Sequence, residues 1–335
     1  MTIPSGWYFC EESKNIAATH VVRKELFGQV IVLWRTQSGV LHISDATCPH
    51  MGSDLGKLGR VQGEHLKCFS HDYTFDGAGN CVKTHFKTPP CRTQNVLYSW
   101  PVHEIGGFVM VWYDAHRAQP PWSIPESIFD TTHKGPFVRS QFTFDVSVDI
   151  LNQDNFDVGH LYKWHELKNV VSSKATCDGP TISVVHDFTR HSIFFQKPLP
   201  GLLKILSQEI TSRYGSTLYG HGLTYSYIDL QKFDFHVQDF IFATPISSHR
   251  TLYTTFLRRI LPDPHKKESL QKRILNAAFH PILFRLFLRR LRKEHLTEGH
   301  GYWENRSHVS NPILTNEERT LIDPYQKWCR QFVME

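Results

Sequence analysis

The sequence lacks a long apolar stretch, a strong excess of charge of either sign and any internal repeat. No run of about 18 apolar residues occurs in the 335-residue chain, so the sequence predicts no segment that spans a membrane. The net charge is only +5, and the basic residues do not form the long runs that are typical of nucleic-acid-binding proteins. We therefore expect neither a membrane span nor a nucleic-acid partner.

Cysteine is also scarce, with seven residues that are too scattered to form the disulfide framework of a small secreted protein. The first residues, MTIPSGWYFCEESKN, lack the basic and then apolar layout of a signal peptide. The sequence thus predicts a cytoplasmic protein with reduced cysteines. Histidine, by contrast, is frequent, with 21 residues, and this makes metal chemistry the first hypothesis to test.

Hydrophobic patterning divides the chain into two domains of one α+β protein. Short β-branched and aromatic runs between turn signals, such as VIVLWRT and FVMVWY, predict an all-β domain over residues 1–115. Residues 116–136 are rich in proline at their start and have no period, which indicates a linker. Residues 137–335 contain several alternating segments and a basic amphipathic segment, and they predict an antiparallel sheet with long helices.

Two cysteines and two histidines occur as alternating pairs in the all-β domain. Cys48 and His50 form the first pair, and Cys68 and His71 form the second pair further along the chain. Such residues bind zinc, or they bind a [2Fe–2S] cluster of Rieske type with both cysteines on one iron and both histidines on the other. Each pair contributes one ligand of each kind, whereas a zinc finger groups its cysteines before its histidines, so the spacing favours the cluster.

The segment CPHMGSDLGKLGRVQGEHLKCFSHDYTFDGAGN resembles the cluster-binding loops of the Rieske non-haem iron oxygenases in its ligands, its glycines and its T-F-D-x-x-G tail. One departure is Asp72-Tyr73 after His71, where this family usually has Gly-Trp. The resemblance implies an N-terminal Rieske domain, whose cluster receives electrons from a ferredoxin or flavin reductase. It also implies a C-terminal catalytic domain with a helix-grip-like fold.

A second candidate metal site lies in the segment DNFDVGHLYKWHE. Asp157 and His160 are three residues apart and share a face of a helix, and the ring of His165 reaches the same point if the helix is irregular there. Two imidazoles and one carboxylate form the facial triad of non-haem Fe(II) oxygenases, which leaves coordination positions open for O₂. The sequence therefore predicts a mononuclear iron about 90 residues after the cluster motif.

The spacing of this segment also matches the catalytic domains of the Rieske oxygenases. The resemblance implies that His160 and His165 bind the iron and that Asp157 is not a ligand. It implies instead that Asp157 hydrogen-bonds His160 of its own chain and His71 of a neighbouring chain, as an electron relay between subunits. The site is then complete only in a head-to-tail ring, typically a homotrimer. Asn152, at the entry to the helix, is a further catalytic candidate near the iron, and capping of the helix at the surface is the alternative role that we favour for it.

The third iron ligand is expected in the C-terminal segment LTEGHGYWENRSH. In the family it is commonly an Asp four residues before a Trp, but the residue four before Trp303 is Gly299, which has no ligating side chain. The adjacent Glu298 is our predicted ligand, and Glu304 and His300 are its rivals. If no carboxylate reaches the iron, the site would resemble the two-histidine centres of halogenases or would be inactive. An inactive site would make the chain a Rieske electron-transfer protein with a degenerate second metal site.

The segment LQKFDFHVQDFIFATP places Asp239 among apolar side chains on one face of a strand. A buried carboxylate needs a partner, and an internal arginine such as Arg250 or Arg258 is one candidate. The other candidate is a cationic group of the substrate, with Tyr227 and Tyr225 supplying aromatic contacts. The sequence leaves both interpretations open.

The first residues of the chain, MTIPSGWYFC, and the residues of its cluster motif are similar to those of the cyanobacterial oxygenases of the saxitoxin pathway. This resemblance implies a monooxygenase that hydroxylates an unactivated C–H bond of a small cationic guanidinium alkaloid. Its cofactors would be a [2Fe–2S] cluster and a mononuclear Fe(II), with O₂ as co-substrate. Its electrons would come from NAD(P)H through a reductase.

Overall fold

The computed structural model describes residues 2–88, 90, 92–130, 135–190, 209–231, 234–261, 275–309 and 311–333. The chain divides into two compact units. The N-terminal unit comprises Met1–Phe129 with Thr244–Ser248, and the C-terminal unit comprises Asp130–Ala243 with His249–Glu335. The division at Phe129 falls inside the segment predicted to be a linker, 116–136, of which residues 131–134 lie outside the described part of the chain.

The N-terminal unit consists of three small antiparallel sheets. Its strands are β1 (Gly6–Glu12), β2 (Val21–Leu26), β3 (Gln29–Arg35), β4 (Leu41–Asp45), β5 (Gly59–Gln62), β6 (His65–Cys68), β7 (Thr74–Phe75), β8 (Cys81–Lys83), β9 (Ser99–Trp100), β10 (Val102–Ile105) and β11 (Phe108–Tyr113). They pair in the orders β1-β11-β10, β2-β3-β4-β9 and β5-β6-β7-β8. The helical elements of this unit are α1 (Leu55–Leu58) and the 3₁₀ turns Ser13–Asn15 and Glu126–Phe129.

Strand β3 holds this unit together because both of its faces are buried. Ile31 and Leu33 belong to one hydrophobic cluster, and Val32 and Trp34 belong to a second cluster on the other face. A strand that is covered on both sides reads as a continuous apolar run, which explains the segment VIVLW. The second cluster also includes Cys48 and Cys68, so the predicted sulfur ligands lie at the edge of a packed core.

The C-terminal unit is an eight-stranded antiparallel sheet with helices against it. The strand order is β12-β19-β18-β17-β16-β15-β13, and β14 pairs with β15. The strands are β12 (Val138–Phe144), β13 (Lys168–Ser172), β14 (Thr176–Asp178), β15 (Thr181–Arg190), β16 (Ile210–Tyr219), β17 (Leu223–Leu230), β18 (Phe235–Ser247) and β19 (Arg250–Arg259). The α-helices are α2 (Val148–Gln153), α3 (Val158–Lys163), α4 (His280–Gly301) and α5 (Asn316–Cys329). Shorter helical elements are Asp154–Phe156, Leu275–Phe279, Trp303–Asn305 and Arg330–Phe332.

Helix α4 is the basic amphipathic segment of the sequence, and it packs on the sheet. Its buried Leu283 and Phe287 lie in one hydrophobic cluster with Val237 of β18 and Leu257 of β19. The predicted α+β class, with an all-β N-terminal domain and a C-terminal antiparallel sheet with helices, is confirmed. No helix in the described ranges is both long enough and apolar enough to cross a membrane.

The N-terminal unit includes a short segment from far along the chain, which the spacing of residues in the sequence does not reveal. The end of β18 and the turn after it, residues 244–248, group with the N-terminal unit. The backbone N–H groups of Phe27 and Gly28 donate to the carbonyl groups of Pro245 and Ile246, at 2.9 and 2.7 Å. These hydrogen bonds join residues more than 200 positions apart, and no local pattern predicts such a contact.

Candidate metal centres

The four predicted cluster ligands lie on two facing loops of the N-terminal unit. Cys48 and His50 follow β4, Cys68 ends β6, and His71 lies in the turn after it. The imidazole rings of His50 and His71 stand edge to face with their centroids 4.8 Å apart. Both cysteines are buried, while His50 is half-buried and His71 is exposed. The two sulfurs thus lie toward the core and the two rings toward solvent.

The departure Asp72-Tyr73 has a clear structural account. Asp72 has a φ angle of +60°, in the left-handed region where glycine is common and where aspartate is tolerated better than most other residues. Its carboxylate forms a 2.7 Å ion pair with Lys67. The ring of Tyr73 stacks on His50 with a centroid distance of 4.0 Å, so an aromatic side chain still supports this ligand.

The chemistry of this donor set fits a Rieske cluster. Nδ1 of His50 is buried and has no hydrogen-bond partner among the described residues, so its lone pair is available to a metal. Burial, with a contribution from the adjacent Cys68 thiol, raises the pKa of Cys48 to about 11. The buried Cys48 is stable as a thiolate only when positive charge, such as that of iron, compensates it.

The second predicted site is formed where α3 ends. The helix stops at Lys163, so His165 lies beyond its end and its ring turns back toward His160. The Nε2 atoms of His160 and His165 are 3.2 Å apart, and the two ring centroids are 4.9 Å apart. The irregular helix that the spacing requires is therefore present as a helix terminus.

Asp157 differs from its expected role within the chain. One carboxylate oxygen accepts the backbone N–H of His160 at 2.9 Å, and the other accepts the hydroxyl of Tyr302 at 2.9 Å. Nδ1 of the His160 ring has no hydrogen-bond partner among the described residues, so the expected bond from Asp157 to that ring is not formed. The reason is local, because Asp157 is the N-cap of α3 and satisfies a free backbone donor of the first turn.

Glu298 reaches the two histidines from the buried face of α4. One of its oxygens lies 3.8 Å from Nε2 of His160, and the other lies 3.5 Å from Nδ1 of His165. The three residues each offer a ligand atom, and these atoms lie within 4.8 Å of one another. The rivals are engaged with each other, since Nδ1 of His300 pairs with a Glu304 oxygen at 2.8 Å.

Close packing of α4 explains why Glu298 lies at this position. A Cβ atom at Gly299 would lie 1.9 Å from the ring of Phe144 in β12, so only glycine lets the helix approach this strand so closely. Glu298 is one residue before the glycine and points to the adjacent side of the helix, toward the histidines. The carboxylate therefore comes one position earlier than the family spacing indicates.

The electrostatics of the three side chains favour a divalent metal. Burial lowers the pKa of both His160 and His165 to about 3, so both rings are neutral and can ligate at any ordinary pH. Burial raises the pKa of Glu298 to about 8, and the nearby acids Glu294 and Asp154 contribute. Without a cation this carboxyl keeps its proton at neutral pH, and a divalent ion would displace that proton.

Three charged residues near this site were missed in the sequence, which are Asp154, Arg306 and Glu294, the last of them 3.9 Å from Nδ1 of His165. Asp154 lies with a carboxylate oxygen 3.7 Å from Nε2 of His160, and it accepts hydrogen bonds from the indole N–H of Trp303 and from Arg306 at 2.6 Å. Burial raises the pKa of Asp154 to about 7, although Arg306 opposes the shift. The repeated spacing Asp154-x-x-Asp157 was the signal available in the sequence.

An aromatic contact also supports the first histidine. The ring of Tyr302 stacks on His160 with centroids 4.8 Å apart, and the ring of Trp164 lies 5.2 Å from Tyr302. The guanidinium group of Arg306 covers the Tyr302 ring at 4.8 Å. This stack limits how the His160 ring can rotate.

A cavity in the C-terminal unit opens onto the His160–His165–Glu298 site. Most of its wall is apolar, and the predicted substrate residues Asp239 and Tyr227 line it together with Asn152. The apolar wall is formed by Leu151, Leu161, Leu167, Phe188, Ile228, Val237, Ile241, Leu257, Phe287 and Leu291. Asn152 is 1% exposed, and its amide donates to the carbonyl of His221 at 2.8 Å, so it braces the wall of the cavity.

Asp239 is a buried acid in this cavity. It is 6% exposed, one of its oxygens has no hydrogen-bond partner among the described residues, and burial raises its pKa to about 7. The two arginines considered as partners are engaged elsewhere. Arg258 donates to the side chain of Gln238 at 2.6 Å, and Arg250 lies 3.5 Å from Asp145.

Two sequence families match the chain. Residues 6–101 match the Rieske [2Fe-2S] domain, and residues 111–333 match the 3-ketosteroid 9alpha-hydroxylase C-terminal domain. The cholesterol 7-desaturase of Caenorhabditis elegans is 23% identical over 99% of this chain and 77% of that protein. A probable 3-ketosteroid-9-alpha-monooxygenase oxygenase component of Rhodococcus rhodochrous is 32% identical, over 36% of this chain and 30% of that one.

Solved structures agree on the fold. Dicamba monooxygenase bound to dicamba superimposes with a TM-score of 0.61 at 16% identity, covering 97% of both chains. A mutant of NdmA from Pseudomonas putida CBB5 with caffeine gives a TM-score of 0.67 at 14% identity, covering 97% of this chain and 89% of that one. The predicted family is confirmed, with its [2Fe–2S] cluster, its non-haem iron and its use of O₂. This chain belongs to the Rieske non-haem iron oxygenases, and its C-terminal domain belongs to the 3-ketosteroid 9α-hydroxylase family.

Proposed function

We propose that this oxygenase is a monooxygenase that hydroxylates an unactivated C–H bond of a rigid small molecule. His160, His165 and Glu298 hold the mononuclear iron, and Cys48, His50, Cys68 and His71 hold the cluster. The observation that carries the proposal is the convergence of three ligand atoms within 4.8 Å beside a mostly apolar cavity. Iron bound by such a triad supplies the activation of O₂.

The residues around the triad have separate tasks in this proposal. The apolar wall excludes water and positions the reacting carbon by shape. The neutral imidazoles leave the charge of the site to Glu298, which gives up its proton when a cation binds. The Tyr302 ring, stacked on His160, fixes the direction of that ligand.

Electron supply is the second part of the proposal. The cluster would receive electrons from NAD(P)H through a ferredoxin or flavin reductase. His71 of one subunit, and Asp157 and His160 of the next subunit, would form the route for these electrons in a head-to-tail homotrimer. Two features support this route: His71 is exposed, and Asp157 lies beside an iron ligand through the backbone of His160. We place the protein in the cytoplasm, where NAD(P)H and such a reductase are both present.

The substrate class follows from the cavity and the relatives. The apolar lining suits a hydrophobic polycyclic molecule, and two relatives are named for cholesterol and 3-ketosteroids, so a steroid-like substrate is our first candidate. A cationic guanidinium alkaloid is the second candidate. It is favoured by one observation, the oxygen of Asp239 in the cavity that has no partner among the described residues. Tyr227 supplies an aromatic contact in either case.

Replacing Asp239 by asparagine separates the two substrate classes. A guanidinium ligand would lose a buried charged partner, and its dissociation constant should rise about 30-fold or more. A steroid would lose at most one hydrogen bond, and its dissociation constant should change less than about tenfold. Calorimetric titration with a steroid panel and with guanidinium alkaloids measures both. Asp229→Asn, which removes the same charge outside the cavity, is the matched control.

Metal analysis tests the oxygenase against the alternative, an electron carrier with a degenerate second site. Anaerobically purified protein should contain about three irons and about two acid-labile sulfides per chain, with a Rieske EPR signal after dithionite reduction. A content of about two irons that persists after Fe(II) is added would refute the second iron site. The chain would then be an electron carrier, and the assignment of Glu298 would be wrong.

A further inference from the structure

Asp154 is a second acidic residue that faces the position of the mononuclear iron. Nε2 of His160 is 3.8 Å from an oxygen of Glu298 and 3.7 Å from an oxygen of Asp154. The two carboxylates thus approach the same ring nitrogen at nearly equal distance. One comes from α4, and the other comes from the 3₁₀ turn between α2 and α3.

The contacts of Asp154 hold it near the metal position without making it part of the close group of three. Both of its oxygens accept hydrogen bonds, one from the indole of Trp303 and the other from Arg306. The close group of ligand atoms contains His160, His165 and Glu298 but not Asp154. Its carboxylate is therefore held beside the triad, with one oxygen 3.7 Å from Nε2 of His160, the nitrogen proposed to bind the metal.

The negative charge of Asp154 is the property that acts on a metal bound at the triad. The side chain of Asp154 is 11% exposed, so solvent screens its carboxylate only weakly from a cation bound at the triad. Groups around a metal site that do not ligate it commonly change its affinity by about 10–100-fold. An ionised Asp154 would add its negative charge to that of Glu298.

We propose that Asp154 is an outer carboxylate of the iron centre, a positioning residue that strengthens divalent metal binding through its charge without being a ligand. This inference rests on the proposed iron site. An alternative, purely structural role would be to anchor Trp303 and Arg306. The two roles differ in what they predict for the metal.

The test uses full-length protein with its cluster loaded and its mononuclear iron removed. Co(II), which takes the place of Fe(II), is titrated anaerobically and followed by its visible absorption, and thermal unfolding of the same samples is recorded. Asp154→Asn should raise the Co(II) dissociation constant by about tenfold or more while the cluster content stays unchanged. Asp149→Asn, a half-buried acid of α2 outside the site, should leave the constant within about twofold.

A second variant keeps the test decisive if Asp154→Asn does not fold. Arg306→Lys disturbs the structural pair but retains the carboxylate and the positive charge that favours its ionised form. We expect Co(II) to bind this variant nearly as tightly as it binds the parent protein. Equal Co(II) affinity of parent and Asp154→Asn, or a tenfold loss in Arg306→Lys, would overturn the inference. Failure of the parent itself to bind Co(II) would instead overturn the proposed iron site.

Discussion

At the scale of single residues, the site depends on side chains whose charge changes when a metal binds. The sequence predicts the four cluster ligands and both histidines from local spacing, and it predicts Glu298 only as the carboxylate adjacent to the position that the family spacing indicates. The sequence does not predict the environment of these residues. The anchors of Asp154 lie about 150 positions away in the chain, and the hydroxyl that occupies Asp157 comes from Tyr302. Such contacts depend on packing and leave no local pattern.

The first prediction concerns the pH dependence of metal binding. The pKa of Glu298 is raised to about 8, so below pH 8 a divalent ion must displace its proton, whereas His160 and His165, with pKa values of about 3, do not compete. Co(II) affinity should rise by about tenfold per pH unit from pH 6 to 8, more steeply below pH 7 where Asp154 also loses its proton, and should then level off. Anaerobic titrations at several pH values measure this slope.

Glu298→Gln is the control for that slope. Glutamine keeps the size of the side chain but has no proton to lose, so we expect weaker Co(II) binding with a flatter pH profile. A slope in this variant as steep as that of the parent would show that another group releases the proton.

At the scale of secondary-structure elements, the approach of α4 to β12 positions Glu298, the proposed third ligand. The sequence predicted the sheet, the basic amphipathic segment and a carboxylate near Trp303. It preferred Glu298 but left Glu304 and His300 as rivals, because the residue that faces the histidines depends on how closely the helix lies against Phe144. Gly299 permits this contact, but a glycine in a helical segment does not show which residue will pack against it.

We predict that Gly299→Ala destabilises the protein and lowers its mononuclear iron content. Alanine is the better helix former, yet its Cβ would lie 1.9 Å from the Phe144 ring, so α4 must shift and carry Glu298 with it. Such overpacking should cost about 1–3 kcal/mol of unfolding free energy. Thermal or denaturant unfolding and iron analysis provide the measurements.

Thr297→Ala is the matched control for this change. Thr297 is exposed on the same helix, so the substitution should leave both the iron content and the stability nearly unchanged. If Gly299→Ala behaves like Thr297→Ala, the close contact with Phe144 does not position the ligand.

At the scale of the whole molecule, the family is defined by two metal centres, one in each unit. The motifs were strong enough to identify this family from the sequence, because each cofactor imposes its ligands within a short stretch of chain. The substrate was not identified in the same way. The cavity wall comes from α2, α3, α4 and five strands, and the shape that selects a substrate is a property of their packing.

The proposed transfer of electrons between subunits predicts complementation of two inactive variants. His71→Ala should lack an intact cluster, and His165→Ala should lack the mononuclear iron. Neither variant alone should therefore oxidise the substrate. Mixed assemblies, isolated through two different affinity tags, should regain part of the parent activity, since an intact cluster can then serve an intact iron site in the next chain. Light scattering of the parent should give the mass of a trimer.

Inactive mixed assemblies of correct mass and metal content would contradict this route. Mixtures of parent and His165→Ala chains, prepared with the same tags, show whether assembly from two gene copies by itself reduces activity.

The hydrogen bonds that Phe27 and Gly28 donate to residues 245 and 246 have a consequence for modularity. The N-terminal unit is not a single interval of the gene, because a short piece of it is encoded more than a hundred codons downstream of Phe129. A shortened chain that stops in the linker would expose two backbone donors and leave that piece behind. An exchange of Rieske domains between such oxygenases must therefore also conserve or transfer residues 244–248. This holds for exchanges in evolution and in the laboratory.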